Sequence, residues 1–262
     1  SWHHRALCDA LERIERGELK RLMVFMPPRH SKSQTCSIHF PSYLLGKNPR
    51  LRIVQASYAQ ALSSAHSRAS RDFFNSPEHA LLFPHAHVET RDTTKATEHE
   101  WETDAGGGYF AVGIGGGLTG KGFDIGLIDD PHKDREESES ATFRQKAVDW
   151  YRSTFYTRQA PGAAIIVVQT RWHPNDLSGF LLDDMEAGGD QWEIIRFPAI
   201  NEAGEALWPE RYSLEALRNI ERAVGKHEWS ALYQQEPVVR GGNMFAMGGV
   251  SYRDIADFPD IK

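Results

Sequence analysis

The sequence predicts an α/β fold with a mostly parallel sheet flanked by helices. Runs rich in β-branched residues alternate with helical stretches along the 262 residues, and this alternation is typical of parallel sheets. Apolar residues make up 40% of the chain and charged residues 25%, which is typical of a globular protein with a core of ordinary size. The two cysteines, Cys8 and Cys36, lie outside any CxxC pattern, and this favours a reducing compartment without disulfides.

Local patterns predict each element in order. β-branched or apolar runs predict strands at residues 21–26, 51–55, 126–128, 163–169 and 192–197. Apolar periodicity and helix-forming stretches predict helices at residues 6–16, 33–45, 59–74, 142–154, 214–224 and 229–235. The glycine-rich residues 84–122 predict irregular β structure. The last two helices predict a small subdomain that follows the sheet.

Composition limits the possible functions. No apolar run reaches the roughly 18 residues of a membrane span, so no membrane contact is expected. The net charge of −6 gives no overall nucleic-acid signature. Any DNA contact would therefore have to come from a local basic patch.

One segment has the spacing of a phosphate-binding loop but none of its glycines. Residues 26–33, Met-Pro-Pro-Arg-His-Ser-Lys-Ser, follow the first strand and lead into a predicted helix. In a G-x-x-x-x-G-K-[ST] loop, successive backbone N–H groups hold phosphate, the Lys reaches the β- and γ-phosphates and the hydroxyl ligates Mg²⁺. Met26 and Ser31 stand at the two glycine positions. A positive φ at Ser31 would cost on the order of 1–2 kcal/mol. On spacing alone, a plain turn is the more common structure.

Two further strand ends carry matching chemistry. Asp129 and Asp130 follow the strand at 126–128, and such an acid pair can hold a Mg²⁺ shell and orient an attacking water. Taken alone, this Asp-Asp-Pro turn is more often a helix cap. Thr170 and Arg171 end the most apolar strand, at the sheet edge where α/β folds bind ligands. Three suitable strand ends in chain order favour a working nucleotide site.

The motifs together resemble one family. They read MPPRHSKS at 26–33, SYAQALS at 57–63, LTGKGFDIGLIDDPHKD at 118–134, VVQTRWHPNDLSG at 167–179 and ALYQQEPV at 231–238. In this order they are similar to the large terminase subunit of tailed double-stranded DNA bacteriophages or prophages, the ATPase that packages the genome. The resemblance implies an additional-strand, RecA-like P-loop NTPase fold that uses ATP and Mg²⁺. It also implies four partners in the host cytoplasm: double-stranded DNA, the portal protein, the small terminase subunit, and further copies of the chain in a homo-oligomeric ring, a pentamer.

The resemblance assigns a role to each site residue. It implies that Lys32, Asp130, Arg29 and Lys121 are catalytic, Asp130 as the carboxylate that positions water. It implies that nucleotide is bound by Arg29, His30, Ser31, Lys32, Ser33, Gln34, Thr170 and Arg171. The Walker A pair would be Lys32 and Ser33, and the Mg²⁺ ligands would be Ser33 and the Walker B acid Asp129. Lys121 stands where the family tends to carry an arginine that acts in trans on a neighbour's ATP.

Two departures from the family pattern bear on activity. Ser31 replaces a glycine, and Lys121 replaces an arginine whose planar fork can bridge two phosphate oxygens. Slow hydrolysis by the isolated chain is therefore expected. Two other functions stay open: a nucleotide-binding module for assembly or DNA binding that is weakly active or hydrolysis-dead, and another P-loop nucleic-acid translocase.

Further contacts implied by the family are less well placed by the sequence. Trp2, His3 and His4 are the candidates for contact with adenine, since that contact usually lies upstream of the first strand. The candidates for DNA contact are Arg68, Arg71, Lys133 and Arg135, although each is more commonly a solvated charge. Salt-dependent affinity without sequence preference would reveal such phosphate contacts.

The resemblance also divides the chain into parts. A P-loop ATPase core is expected at 1–197, a small helical lid or linker at 198–240, and at 241–262 a linker towards a nuclease domain that the chain does not contain. Asp254, Asp257 and Asp260 are interpreted as linker acids, so no nuclease activity is expected.

Overall fold

The computed structural model describes residues 1–88 and 97–239. The expected linker at 241–262, with Asp254, Asp257 and Asp260, lies outside the described residues. None of the helices in the described ranges is long and apolar enough to cross a membrane.

Seven strands in the described residues form one sheet. They are β1 (Arg21–Phe25), β2 (Arg52–Ser57), β3 (Glu100–Glu102), β4 (Gly108–Gly113), β5 (Phe123–Asp129), β6 (Gln159–Gln169) and β7 (Glu193–Arg196). Their order is β3-β4-β2-β5-β6-β1-β7, and every pair is parallel except β3 with β4. Because β6 lies between β1 and β5, the sheet has the additional strand that the resemblance implies. The mostly parallel α/β fold is confirmed.

Helices connect the strands and cover both faces of the sheet. They are α1 (Trp2–Glu15), α2 (Phe40–Lys47), α3 (Gln60–Phe74), α4 (Pro77–Leu82), α5 (Arg135–Glu139), α6 (Ala141–Trp150), α7 (Leu177–Glu186) and α8 (Leu214–Glu228). Short π-helical segments occupy Gln34–His39, Tyr151–Phe155 and Trp229–Tyr233. The single helix expected at 33–45 is therefore two segments of different geometry. Such π-helical turns are frequent at functional sites.

Side chains of alternate strand residues build two cores on opposite faces of the sheet. Leu22 and Val24 of β1 pack in the core that includes α1 and α2, whereas Met23 and Phe25 pack in the core that includes α6 and α7. Alternation of this kind follows from the two-residue repeat of a strand. With both faces covered, ligands have access to the sheet mainly at its edges.

A third, smaller core lies within the predicted 198–240 subdomain. It contains Ala199, Ile200, Ala206, Leu217 and Trp229, with Tyr212, Ile220, Val224 and Tyr233 packed against it. The boundary at residue 197 stays a prediction, because contacts continue across it. The Arg171 N–H donates to Gln235 Oε1 at 3.1 Å, and Arg196 pairs with Glu236 at 2.7 Å.

The sequence patterns did not predict α4 and α7. α7 begins after Asp176, whose carboxylate accepts a hydrogen bond from the Gly179 N–H at 2.9 Å. An aspartate three residues before a donating backbone N–H is an ordinary helix N-cap. The stretch 173–179 therefore starts a helix as well as forming part of a motif.

Candidate active site

The carboxyl ends of β1, β6 and β5 meet at one edge of the sheet, and hydrogen bonds join them. The Met26 N–H after β1 donates to Gln169 O at 3.2 Å. The Asp130 N–H after β5 donates to Val168 O at 2.9 Å. Thr170 Oγ1 donates to Met26 O at 3.0 Å. The structure therefore brings the three predicted strand ends together.

The loop at 26–33, here called the loop segment, has a left-handed backbone at two residues that are not glycine. Arg29 has φ 60° and Ser31 has φ 73°. The positive φ considered for Ser31 is thus present, and a second one occurs at Arg29, where no sequence pattern indicated it. Each is strained by an amount on the order of 1–2 kcal/mol. Left-handed residues within a turn can aim successive N–H groups into one concave space, which is how backbone nests bind anions.

Lys32 lies at the end of the loop segment and pairs with the acid after β5. Its Nζ is 2.7 Å from Asp130 Oδ2, and the side chain is only 10% exposed. Burial lowers the pKa of Lys32, but the carboxylates of Asp130 and Asp129 outweigh this effect, so the pKa is raised above its ordinary value. Lys32 is therefore a buried ammonium. The other oxygen of Asp130, Oδ1, accepts from the Thr170 N–H at 3.0 Å.

Asp129 is buried and is held by two serine hydroxyls. Ser33 Oγ donates to its Oδ1 at 3.1 Å, and Ser37 Oγ donates to its Oδ2 at 2.7 Å. His66 Nδ1 lies 3.7 Å from Oδ2. Burial raises the pKa of Asp129 and the charge of Asp130 raises it further, while His66, Lys32 and the Ser37 hydrogen bond oppose the rise.

The donors around Asp129 suit a magnesium ion. Mg²⁺ prefers hard oxygen ligands and is usually held by one or two carboxylates, with water and substrate phosphate completing its shell. Ser33 and Asp129 supply a hydroxyl and a carboxylate side by side. The described residues contain no group of three or more His, Cys, Asp or Glu side chains that could hold a metal by themselves.

Comparison with known proteins gives the family. The family model described as "Terminase large subunit, T4likevirus-type, N-terminal" matches residues 23–248, well over half of the chain. The chain belongs to this large terminase family. Among the curated protein sequences compared with the chain, none matches it significantly.

Solved structures agree with the fold of this large terminase chain. The large terminase ATPase domain of Thermus phage P74-26 superposes with a TM-score of 0.59 and 13% identity, over 87% of this chain and 92% of that chain. A point mutant of the same domain gives a TM-score of 0.56 and 13% identity, over 87% of this chain and 93% of that chain. At this level of identity the likeness concerns the fold. The RecA-like P-loop fold expected from the sequence is confirmed.

The other residues of the loop segment in this terminase chain differ in exposure and in side-chain contacts. Arg29 is exposed, and no hydrogen bond or ion pair of its side chain occurs within the described residues. His30 is fully buried, and its ring stacks on Tyr212. Gln34 is exposed, and its side chain bonds the ring of His39 at 2.7 Å. Of these three side chains, only that of Arg29 is both exposed and without a hydrogen-bond or ion-pair partner among the described residues.

Arg171 is tied to its own neighbours. Its Nε donates to Asp176 Oδ2 at 2.9 Å, its Nη2 donates to Pro174 O at 3.1 Å, and its guanidinium lies 4.9 Å from the centre of the Phe25 ring. The side chain therefore fixes the turn that starts α7. A direct contact with phosphate would require this buried pairing to open.

Lys121 lies at the opposite edge of the sheet from the loop segment. It precedes β5, whereas Asp129 ends β5, so roughly 20 Å of strand separates them. Its ammonium pairs with Glu100 and lies 5.3 Å from the centre of the Phe110 ring. The structure thus does not bring Lys121 to the site of its own chain.

The four candidates for DNA contact all have partners within the chain. Arg68 pairs with Glu98 at 2.8 Å, and Arg71 donates to Thr97 O at 2.9 Å. Lys133 lies 3.5 Å from Asp134. Arg135 pairs with Glu228 and donates to Trp172 O at 2.6 Å. Arg135 links α5 to α8.

The candidates for adenine contact pack against aromatic side chains that follow β7. His3 is buried, with ring contacts to Phe197 and Trp208. His4 meets Trp208 edge-on at 4.7 Å, and Trp2 remains 57% exposed. Burial, together with the nearby His4, lowers the pKa of His3 to about 4.

The sequence patterns did not predict the side chains that pack behind Asp129 and support it. Ser37 holds the carboxylate, and its backbone oxygen accepts from Tyr109 OH at 3.0 Å. Gln55 Nε2 lies 3.3 Å from His66 Nδ1 and bonds Ser57 Oγ at 2.8 Å. Of these residues, only Ser37 could have been predicted from the sequence. It follows Ser33 by four residues and so lies on the same face of a helical turn.

Proposed function

We propose that this chain is the ATPase motor domain of a phage large terminase, which hydrolyses Mg-ATP. The observation that carries the proposal is the convergence of Lys32, Asp130 and the Ser33–Asp129 pair at one sheet edge. Each of these groups has a use in phosphoryl transfer, which depends on positioning and on charge stabilisation. The family match supports the assignment, since it covers the loop segment and both acids.

The residues have distinct proposed roles in the reaction. Backbone N–H groups of residues 29–33 and the Lys32 ammonium hold the triphosphate, and Arg29 approaches the γ-phosphate from the open side. Ser33 and Asp129 would hold Mg²⁺, which would supply positive charge to the phosphate oxygens. Asp130 orients water for attack on the γ-phosphorus and accepts its proton, while the bond from that phosphorus to the bridging oxygen of ADP breaks. The products are ADP and phosphate.

Thr170 is proposed to sense the state of the site. Its hydroxyl is bonded to the loop segment and its N–H is bonded to Asp130, so any change at either one reaches β6. Arg171 then passes that change to the turn before α7 through Asp176. This pair therefore couples hydrolysis to movement of the chain by positioning and not by direct contact with phosphate.

The family match supports a proposal for the biological role. We infer that hydrolysis drives double-stranded DNA into a procapsid, with the portal protein, a small terminase subunit and further copies of this chain in a pentameric ring in the host cytoplasm. Lys121 would then act on the ATP of a neighbouring copy, since its own site is out of its reach. To do so its ammonium must leave Glu100.

ATP turnover with and without DNA and portal tests this proposal. Lys32→Ala should abolish binding and turnover. Asp130→Asn should keep binding but reduce turnover by about 10²–10⁴-fold, the usual contribution of a positioned base. Lys20→Ala, at an exposed lysine outside the site, is the matched control and should change neither. Turnover unchanged in Asp130→Asn would contradict the assignment.

The distance of Lys121 from its own site favours one alternative for the isolated chain: a nucleotide-binding module with weak hydrolysis. ATP binding without turnover, both alone and in assembled rings, would establish that function. Turnover that appears only on assembly would instead support the motor.

A further inference from the structure

His30 lies between the two left-handed residues of the loop segment and points away from its open side. Arg29 and Ser31 flank it with φ 60° and 73°. Its ring is fully buried, and Nδ1 lies 2.8 Å from Pro28 O. Because a carbonyl oxygen can only accept, Nδ1 carries the hydrogen and donates it. This bond closes a tight turn within the loop segment itself.

The ring of His30 is also fixed from outside the loop. It stacks on Tyr212 with ring centres 4.8 Å apart and planes 21° from parallel, and Trp208 lies 6.4 Å away. Tyr212 and Trp208 belong to one turn, in which the Tyr212 N–H donates to Trp208 O at 2.8 Å. Arg211 covers both rings, with its guanidinium 5.1 Å from Trp208 and 5.8 Å from Tyr212. Tyr212 also packs against the third core.

These contacts explain how the loop segment, which has no glycine, keeps the left-handed φ angles that glycine usually provides. Left-handed φ is unfavourable for Arg and Ser, so a free loop would relax out of it. A side chain held at both ends between them, by Pro28 O and by Tyr212, opposes that relaxation. Strained backbone persists where the surrounding structure over-determines it.

We propose that His30 is a positioning residue whose stacking on Tyr212 holds the loop segment in its nucleotide-binding conformation. The affinity of the chain for Mg-ATP then depends on the seating of the small subdomain that carries Tyr212. This inference rests on the proposed function, because it concerns the same nucleotide site. It assigns to the His30 side chain a role separate from that of its backbone N–H.

A comparison of variants by calorimetric titration with Mg-ATP tests the proposal. Tyr212→Ala should weaken binding about tenfold, while Tyr212→Phe, which keeps the ring, should stay within about twofold. Val224→Ala is the matched control, since Val224 packs in the same third core without contacting the loop segment. It should lower Tm without changing the affinity.

Ser31→Gly separates positioning from general stability. Glycine removes the strain at this residue, so the loop segment needs less support from His30. In a Ser31→Gly background, Tyr212→Ala should weaken binding by less than about threefold. An equal loss in both backgrounds, or no loss in Tyr212→Ala alone, would overturn the proposal.

Hydrogen exchange gives a readout that needs no nucleotide. Tyr212→Ala should speed exchange of the amides at 29–33 by about tenfold, and Val224→Ala should leave them unchanged. Failure of the chain to bind ATP would overturn the proposed function, whereas unchanged exchange in Tyr212→Ala would overturn the role of His30.

Discussion

Lys32 Nζ and Asp130 Oδ2 lie 2.7 Å apart, so the two side chains proposed to act on ATP neutralise each other. Phosphate oxygens that bind Lys32 must compete with this carboxylate. Asp130 also carries its own backbone strain, with φ 47°. The pair therefore links the entry of substrate to the release of the proposed base.

Asp130→Asn should bind Mg-ATP more tightly than the native chain, although it turns over more slowly. The neutral amide no longer competes for Lys32 and no longer repels the triphosphate. We expect affinity to rise about threefold to tenfold, measured by calorimetric titration. Asp124→Asn, at the amino end of the same strand, is the control and should not change affinity. Weaker binding in Asp130→Asn would show that the carboxylate aids binding.

Ser31→Gly should raise turnover severalfold. The substitution relieves a strain on the order of 1–2 kcal/mol, partly offset by the greater freedom that glycine adds to the unfolded chain. Ser31→Ala keeps the strain and removes only the hydroxyl, so it serves as the control. Steady-state phosphate release measures the effect. An equal gain in Ser31→Ala would assign it to the hydroxyl and not to φ.

Ser37→Ala should raise the Mg²⁺ concentration needed for half-maximal turnover about threefold to tenfold. The change leaves Asp129 Oδ2 without its 2.7 Å hydrogen bond, so the metal ligand loses part of its orientation. Ser42→Ala is matched to it, because Ser42 is also buried but bonds Ser70 O at 2.8 Å away from the acids. The same Mg²⁺ concentration for half-maximal turnover in both variants would contradict the role of Ser37.

His3 should make the folded chain less stable in mild acid. Burial lowers its pKa from 6.5 to about 4, so the unfolded chain binds more protons across that window. Stability is therefore unaffected above pH 6.5 and is lost progressively as the pH falls towards 4. We expect Tm to fall over this range, and His3→Phe should flatten the fall. His85→Gln, at an exposed histidine, should leave it unchanged.

The sequence predicted the sheet and the identity of the strand ends because both are local patterns. Asp129 and Asp130 follow a buried strand, and parallel strands end at one edge, so their meeting with Lys32 could be expected. The approach of His66 to Asp129 could not, since it depends on how α3 packs against the sheet. The stacking of His30 on Tyr212 likewise joins residues far apart in the chain.

Charge pairing within the chain was the least predictable feature. Arg171 stands at a strand end that suits a ligand, yet Asp176 holds its guanidinium. The sequence shows both residues but not the turn that brings them together. The π-helical segment after Ser33 was also missed, because its amphipathic pattern over six residues differs little from that of an α-helix.

Lys121 and the loop segment occupy opposite edges of one sheet, and this gives the proposed ring a polarity. If Lys121 of one copy reaches the ATP of a second copy, the nucleotide site of the first copy receives Lys121 from a third. The contact between copies is then head-to-tail, and the two surfaces in contact are different. Such a ring has no twofold axes, and its two faces differ. An isolated copy is then incomplete at both of its edges. The order in which the sites hydrolyse ATP would be a property of the closed ring and not of any single subunit.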